Sequence, residues 1–184
     1  AATLGRELGM SSAFEAAMPF DGGQYGLAVL SRYPIIGSRS FYLPEGHEPR
    51  VAQTVDVRLP DGNTLTVVNI HFDWVEDDAF RFAQANAVAG FLIDLATPYV
   101  LLGDFNDGPE SRTVDRFRTL AAEAKKGEAG SRTFPAANPE LEIDFVFAGP
   151  PSCWKVNAAR VMAEEMASDH RPVVADLELL SAER

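Results

Sequence analysis

The sequence predicts an α/β fold in which two packed sheets are flanked by helices. Strand-like segments dominate both ends of the chain, and twice in the middle the apolar period lengthens to that of a helix. A wholly apolar strand, Val100-Leu101-Leu102, then stops abruptly at Gly103-Asp104-Phe105-Asn106-Asp107-Gly108. Strand ends in such folds favour chemistry, because the sheet holds the backbone rigid while the tip meets solvent.

The elements follow in order. Leu4–Met10 reads as the end of a helix with Gly9 as its stop, and Ser12–Met18 as a strand closed by Pro19 and the Asp21-Gly22-Gly23 turn. Tyr25–Ser31 is apolar at successive positions, the pattern of a strand buried on both faces, and Ile35–Leu43 resumes as a strand after Pro34. Pro44–Pro49 is a loop holding His47. Arg50–Leu59 alternates, with Val51, Val55, Val57 and Leu59 on one face, and Asp61-Gly62 turns it into the partner strand Thr64–His71. From Asp77 to Leu95 the spacing is helical, with a stripe of Phe80, Ala83, Ala87, Phe91 and Leu95 joined by Val88 and Leu92. The strand Tyr99–Gly103 follows, then a second helix over Arg112–Ala124, capped by Ser111 and striped by Val114, Phe117 and Leu120/Ala121. Lys125–Glu142 reads as a long surface loop, and Ile143–Ala148, Trp154–Val161 and Pro172–Leu179 are the last strands. Neither a repeat nor a linker divides the chain, so residues 1–184 are expected to form one domain.

The net charge of −11 disfavours tight non-specific nucleic-acid binding, which needs Lys and Arg to neutralise phosphates. Clustered carboxylates suit a hard divalent cation instead. A single cysteine, Cys153, rules out an intrachain disulfide and a cysteine-rich zinc motif. No apolar run approaches the ~20 residues of a membrane-spanning helix. The expectation is a soluble monomer, with cytoplasmic and secreted locations both open.

Three polar clusters sit at strand or loop edges. His71 ends Val67-Val68-Asn69-Ile70-His71; if Val68 and Ile70 face the core, it shares a face with Asn69. It serves equally well as a hydrogen-bonded histidine at a sheet edge. Asp104 and Asn106 project to one side with Phe105 as an apolar anchor on the other, although Asn-Asp-Gly is also ordinary turn chemistry. A carboxylate delivered by so apolar a strand is costly unless paired, metal-bound or hydrogen-bonded. Ser168-Asp169-His170 is either a loop-stabilising pair or a site in which Asp169 and His170 diverge. Asp144 could orient a histidine through its second ring nitrogen.

In type and in order these residues resemble the endonuclease/exonuclease/phosphatase superfamily of metal-dependent phosphoesterases. The resemblance rests on Gly26-Leu27-Ala28-Val29-Leu30-Ser31-Arg32-Tyr33-Pro34, Asn69-Ile70-His71-Phe72-Asp73, Gly103-Asp104-Phe105-Asn106, Ile143-Asp144-Phe145 and Ser168-Asp169-His170-Arg171-Pro172, and spans Leu4–Leu179. It implies a four-layer α-β-β-α sandwich of two mixed, mainly antiparallel sheets. It further implies that Asp104 is the general base, that Asn106 assists it and orients the phosphate, and that His170, paired with Asp144, stabilises the transition state or donates a proton. His71 would contact another non-bridging oxygen, Asp169 would ligate Mg²⁺ or Mn²⁺, and Arg50 and Arg81 are lesser candidates for substrate contact. The family's early Asn strand and Gln-Glu strand have no counterpart here. The domain is therefore expected to be incomplete at its N-terminus, lacking the first β-α-β segment, and to bind metal weakly.

Two function classes follow. One is a divalent-metal-dependent hydrolase of phosphoester bonds (phosphodiesterase, endonuclease or phosphatase) using in-line attack of an Asp-activated water. The other is a catalytically silent binding or scaffold domain that keeps the fold without a complete metal site. The charge leans towards a small or lipid-derived phosphoester over nucleic acid.

Overall fold

The computed structural model describes residues 1–127 and 130–180. Helix α1 (Ala2–Leu8) ends at Gly9, whose left-handed φ of 65° lets its N–H cap the last turn. The hairpin β1 (Ser11–Phe20) and β2 (Gly23–Ser31) follows, then β3 (Ile35–Tyr42), β4 (Val51–Arg58), β5 (Thr64–His71), α2 (Ala79–Ile93), β6 (Tyr99–Asp104), α3 (Arg112–Arg118), β7 (Ala122–Glu123), β8 (Asp144–Gly149), a 3₁₀ turn, β9 (Trp154–Val161) and β10 (Val173–Leu179).

Six strands form the central sheet in the order β3-β4-β5-β6-β8-β7. Only β5 and β6 run parallel, and α2 is the crossover that parallel neighbours require. One face of this sheet packs on α2 and α3 around Val68, Ile70, Phe72, Leu101, Phe105, Phe145 and Phe147. On the other face lie two hairpins. β1–β2 covers β3–β5 through Val29, Val55 and Val57, and β9–β10 covers β6 and β8 through Trp154, Leu177 and Leu179. The second layer is thus built from two hairpins, with helices outside the central sheet.

Several local expectations change. β2 is only half-buried, because it belongs to a two-stranded hairpin; the strand buried on both faces is β4, caught between hairpin and helices. β1 runs through Pro19, which an edge strand tolerates. The buried face of α2 is Arg81, Gln84, Ala85, Val88, Ala89 and Leu92 rather than the stripe beginning at Phe80, which is exposed. Arg81 and Gln84 turn inward because loop carbonyls and an amide at the sheet end need their donors and acceptor. α3 stops at Arg118, since Ala122 and Glu123 pair with β8 as β7. In the Lys125–Glu142 segment Lys126, Thr133 and Ala136 are buried; residues 128–129 lie outside the described residues.

Gly103 is the tightest point of the sheet. Its φ is +139°, and a Cβ there would stand 1.9 Å from the Ile70 carbonyl oxygen. Gly103→Ala is therefore expected to lower stability by about 2 kcal/mol or more. In contrast, Gly90→Ala, in open space on the exposed side of α2, should raise it by roughly 0.5–1 kcal/mol. Urea unfolding of the two variants beside the parent checks both signs.

Candidate active site

Register across three strands assembles the site. His71 pairs with Asp104 between β5 and β6, and Asp104 with Asp144 between β6 and β8, so the three side chains stand in one row at one end of the sheet. Alternation puts Phe72, Phe105 and Phe145 on the helix side, where Phe105 meets the other two edge-on at 5.5 and 5.3 Å. The row therefore faces the hairpin layer along with Asn69, which bonds the Ala28 carbonyl of β2.

The polar chain is continuous. The Tyr25 hydroxyl lies 3.0 Å from His71 Nδ1, and His71 Nε2 faces Asp104 Oδ2 at 3.4 Å. His170 Nε2 faces the same oxygen at 3.8 Å, while its Nδ1 is 2.9 Å from Asp144 Oδ2. The other Asp104 oxygen accepts the Asn106 N–H at 2.7 Å, an Asx turn that Asn106 closes at φ +50°. One oxygen of the Asp104 carboxylate thus makes a turn and the other faces two imidazoles.

Environment divides these groups electrically. Burial, then the neighbouring Asp144, pushes Asp104 up to about 6, with the Asn106 amide, His170 and Arg50 opposing. Burial also pushes His71 down to about 4, helped by the positive Arg50 and His170, so it is neutral at pH 7. The hydrogen bond to Asp144 raises His170 above its ordinary value against the cost of burial. The carboxylates then assign the tautomers: Nε2–H of His71 towards Asp104 with Nδ1 accepting from Tyr25, and Nδ1–H of His170 donated to Asp144.

Arg50 is 4% exposed and bridges to Glu48 at 2.9 Å, yet among the described residues its Nε and Nη1 have no hydrogen-bond partner. It borders a small void with Tyr25 and His71. Arg81 goes elsewhere: it is buried under the Asp73–Glu76 turn, donating to the carbonyls of Asp73 and Val75 and facing Asp107 at 3.5 Å. Asn106 joins the row through its backbone, while its Nδ2 holds the Phe72 carbonyl at 3.0 Å. Asp169 is exposed beside His170, with Ser168 Oγ 3.3 Å from its carboxylate. Sequence reasoning missed Tyr25, which no local pattern links to His71 from 46 residues away, and Lys126, whose buried ammonium pairs with Glu142 and caps the Asp144 carbonyl.

A cleft of about 330 Å³ opens beside the row between Leu102, Asp144, Val146 and His170. A second, of about 520 Å³, adjoins Asn106 and Glu142. A larger one of about 740 Å³ lies at the opposite end of the sheet, but its lining has no histidine and one carboxylate, Asp61. The convergent titratable groups make the first end the candidate site.

YbhP of Escherichia coli K12 is 28% identical over 173 residues, a match that takes in 85% of this chain and 64% of that protein's length. A conserved protein of Enterococcus faecalis V583 shares the fold with a TM-score of 0.80 at 22% identity, over 93% of this chain and 77% of that one. A mannosyl-6-phosphatase of Bacteroides thetaiotaomicron VPI-5482 does so at 0.75 and 20%, over 91% and 77%. The Endonuclease/Exonuclease/phosphatase family model matches residues 5–170, a span that runs from α1 through Tyr25, His71, Asp104 and Asp144 to His170, and the chain belongs to that family.

Proposed function

We propose that the chain hydrolyses phosphoester bonds at the His71–Asp104–Asp144–His170 row. The observation that carries this reading is one Asp104 oxygen facing the Nε2 atoms of two histidines held in opposite protonation tendencies. Pairs of titratable groups driven apart by environment identify acid and base. Asp104, ionised above about 6, takes a proton from water as the water oxygen attacks phosphorus. The bond from phosphorus to the leaving oxygen breaks opposite, that oxygen taking its proton from solvent. His170, whose charged form Asp144 favours, stabilises the charge that develops beside Asp104. Neutral His71 and the positive, buried Arg50 behind it make the surroundings of Asp104 favourable to the charge that gathers on the non-bridging oxygens.

Family membership suggests Mg²⁺ or Mn²⁺ at Asp169. Among the described residues no group of three or more His, Cys, Asp or Glu side chains is arranged to hold a metal. The described donors do not make a site on their own. That observation favours a second reading, a binding domain of the same fold. The substrate is proposed to be a small or lipid-derived phosphoester, in keeping with the charge of −11.

Hydrolysis of a chromogenic phosphodiester and the matching monoester, with Mg²⁺, with Mn²⁺ and with chelator, decides between the readings. Turnover that Asp104→Asn lowers by roughly 10³-fold or more supports the hydrolase. A folded protein silent on every ester and metal gives way to the binding domain. Asp144→Asn should remove the support that keeps His170 protonated and narrow the pH profile from its alkaline side. The profile itself should rise through about pH 6 as Asp104 ionises and fall as His170 loses its proton above its ordinary value.

Stability carries the opposite sign at Asp104. Its folded value lies above the ordinary carboxylate range, so its contribution is favourable below about pH 4 and lost as pH rises through about 6. Asp104→Asn should therefore stabilise the fold at pH 7–8 by about 1–3 kcal/mol, with the gain fading towards pH 4. Thermal unfolding across that range measures it.

A further inference from the structure

Beside the reactive row stands a piece of architecture that the hydrolysis scheme leaves unused. Asp73, two residues past His71, is fully buried, and its carboxylate accepts backbone N–H groups from His47 (2.6 Å), Glu48 (3.3 Å) and Val75 (3.2 Å). Its own N–H donates to Gln84 of α2, whose amide in turn holds the Pro44 carbonyl. Gly46 is packed so closely that a Cβ would stand 2.4 Å from the Asp73 carboxylate. A buried carboxylate with three amide donors fixes the Pro44–Pro49 loop against the end of β5 as firmly as a strand would.

What this loop carries is an aromatic pair. His47 and Trp74 meet edge to face at 5.4 Å and 89°, and Trp74 is 55% exposed. The far side of its segment is clasped by Arg81 on the Asp73 carbonyl and by the Asn106 amide on Phe72, so the backbone that carries the indole is anchored three residues beyond His71. A large ring held rigid yet left open to solvent has its ordering cost already met before anything binds. The same loop leads through Glu48 to Arg50, which ties the indole's position to that of the guanidinium.

We propose that Trp74, backed by His47, is the specificity surface for the alcohol side of the substrate, and that this side carries a flat aromatic ring. The inference rests on the phosphoesterase reading of the row and adds the substrate class. Stacking on an indole face is strong for any planar ring and indifferent to its substituents. The protein's charge of −11 disfavours a polyanion, so the ring is that of a small phosphoester. Asp73 acts as a positioning residue, through the loop.

Indole fluorescence provides the test independently of turnover, because the other tryptophan, Trp154 at the start of β9, is buried against Val100 and Ala148. Phenyl phosphate, glycerol phosphate and inorganic phosphate are titrated into the parent protein, Trp74→Ala and Asp73→Asn, each ligand's affinity being read by calorimetry as well. The expected result is quenching by phenyl phosphate and a loss of phenyl phosphate affinity in Trp74→Ala of roughly 5- to 100-fold, with inorganic phosphate unchanged. Asp73→Asn should weaken phenyl phosphate alone, by a smaller factor. Equal affinities for the three ligands, or Trp74→Ala weakening all of them alike, would overturn the platform while leaving the row intact. A preference for glycerol phosphate overturns it in favour of an aliphatic alcohol. If none of the three binds, the phosphoesterase reading fails with it.

Discussion

The site depends on strand register. His71, Asp104 and Asp144 come from segments 33 and 40 residues apart, and they meet only because β5, β6 and β8 pair without slippage. A one-residue shift of β6 would send Asp104 into the aromatic core and Phe105 into the cleft. Two features forbid that shift. Gly103 lies against the Ile70 carbonyl at a distance no other residue permits, and Phe105 is enclosed by Phe72, Phe117, Phe145 and Phe147. The apolar half of the strand end is what specifies the polar half.

That arrangement stands against an electrostatic cost. Asp104 and Asp144 are directly opposed on antiparallel strands, a destabilising pairing for like charges. His170 relieves it by bonding Asp144 and facing Asp104, and Arg50 adds positive charge from the other side. The result is one carboxylate that ionises late and one that serves as counter-ion. The two histidines separate for the same reason: burial, with the positive Arg50 and His170, keeps His71 neutral, while the hydrogen bond to Asp144 favours the charged form of His170. Neighbours rather than residue type divide the roles.

Three members of the row were legible in the sequence because His71, Asp104 and Asp144 occupy strand ends, where an apolar run meeting Asp or His is visible without knowing the partner. His170 stands in the loop before β10, beside Asp169. Most strand positions were legible too, from alternation and turn residues. What local pattern hides is anything decided by a distant neighbour. The inward face of α2 includes Arg81 and Gln84 because of backbone groups in the Pro44–Pro49 loop and the Asp73–Glu76 turn, so the apolar stripe misleads. β7 exists because β8 offers it an edge, although Ala122 and Glu123 read as helix. Tyr25 and Lys126 touch the row from hairpin and loop with no spacing to announce them. Asn106, chosen for its side chain, contributes its backbone N–H.

Floor and rim are built by different physics. The floor is positioned by sheet pairing and aromatic packing, which tolerate little change. The rim is positioned by Asp73, one buried carboxylate whose amide donors come from a loop otherwise free to vary. Burial alone would raise Asp73; the Val75, Glu48 and His47 amides and Arg50 outweigh it and hold it below the ordinary carboxylate range. It therefore stays ionised through the range in which Asp104 and His170 change charge, and the loop it holds keeps its shape while the row titrates. The two are separate: the row can change charge while the loop held by Asp73 keeps its ionised anchor.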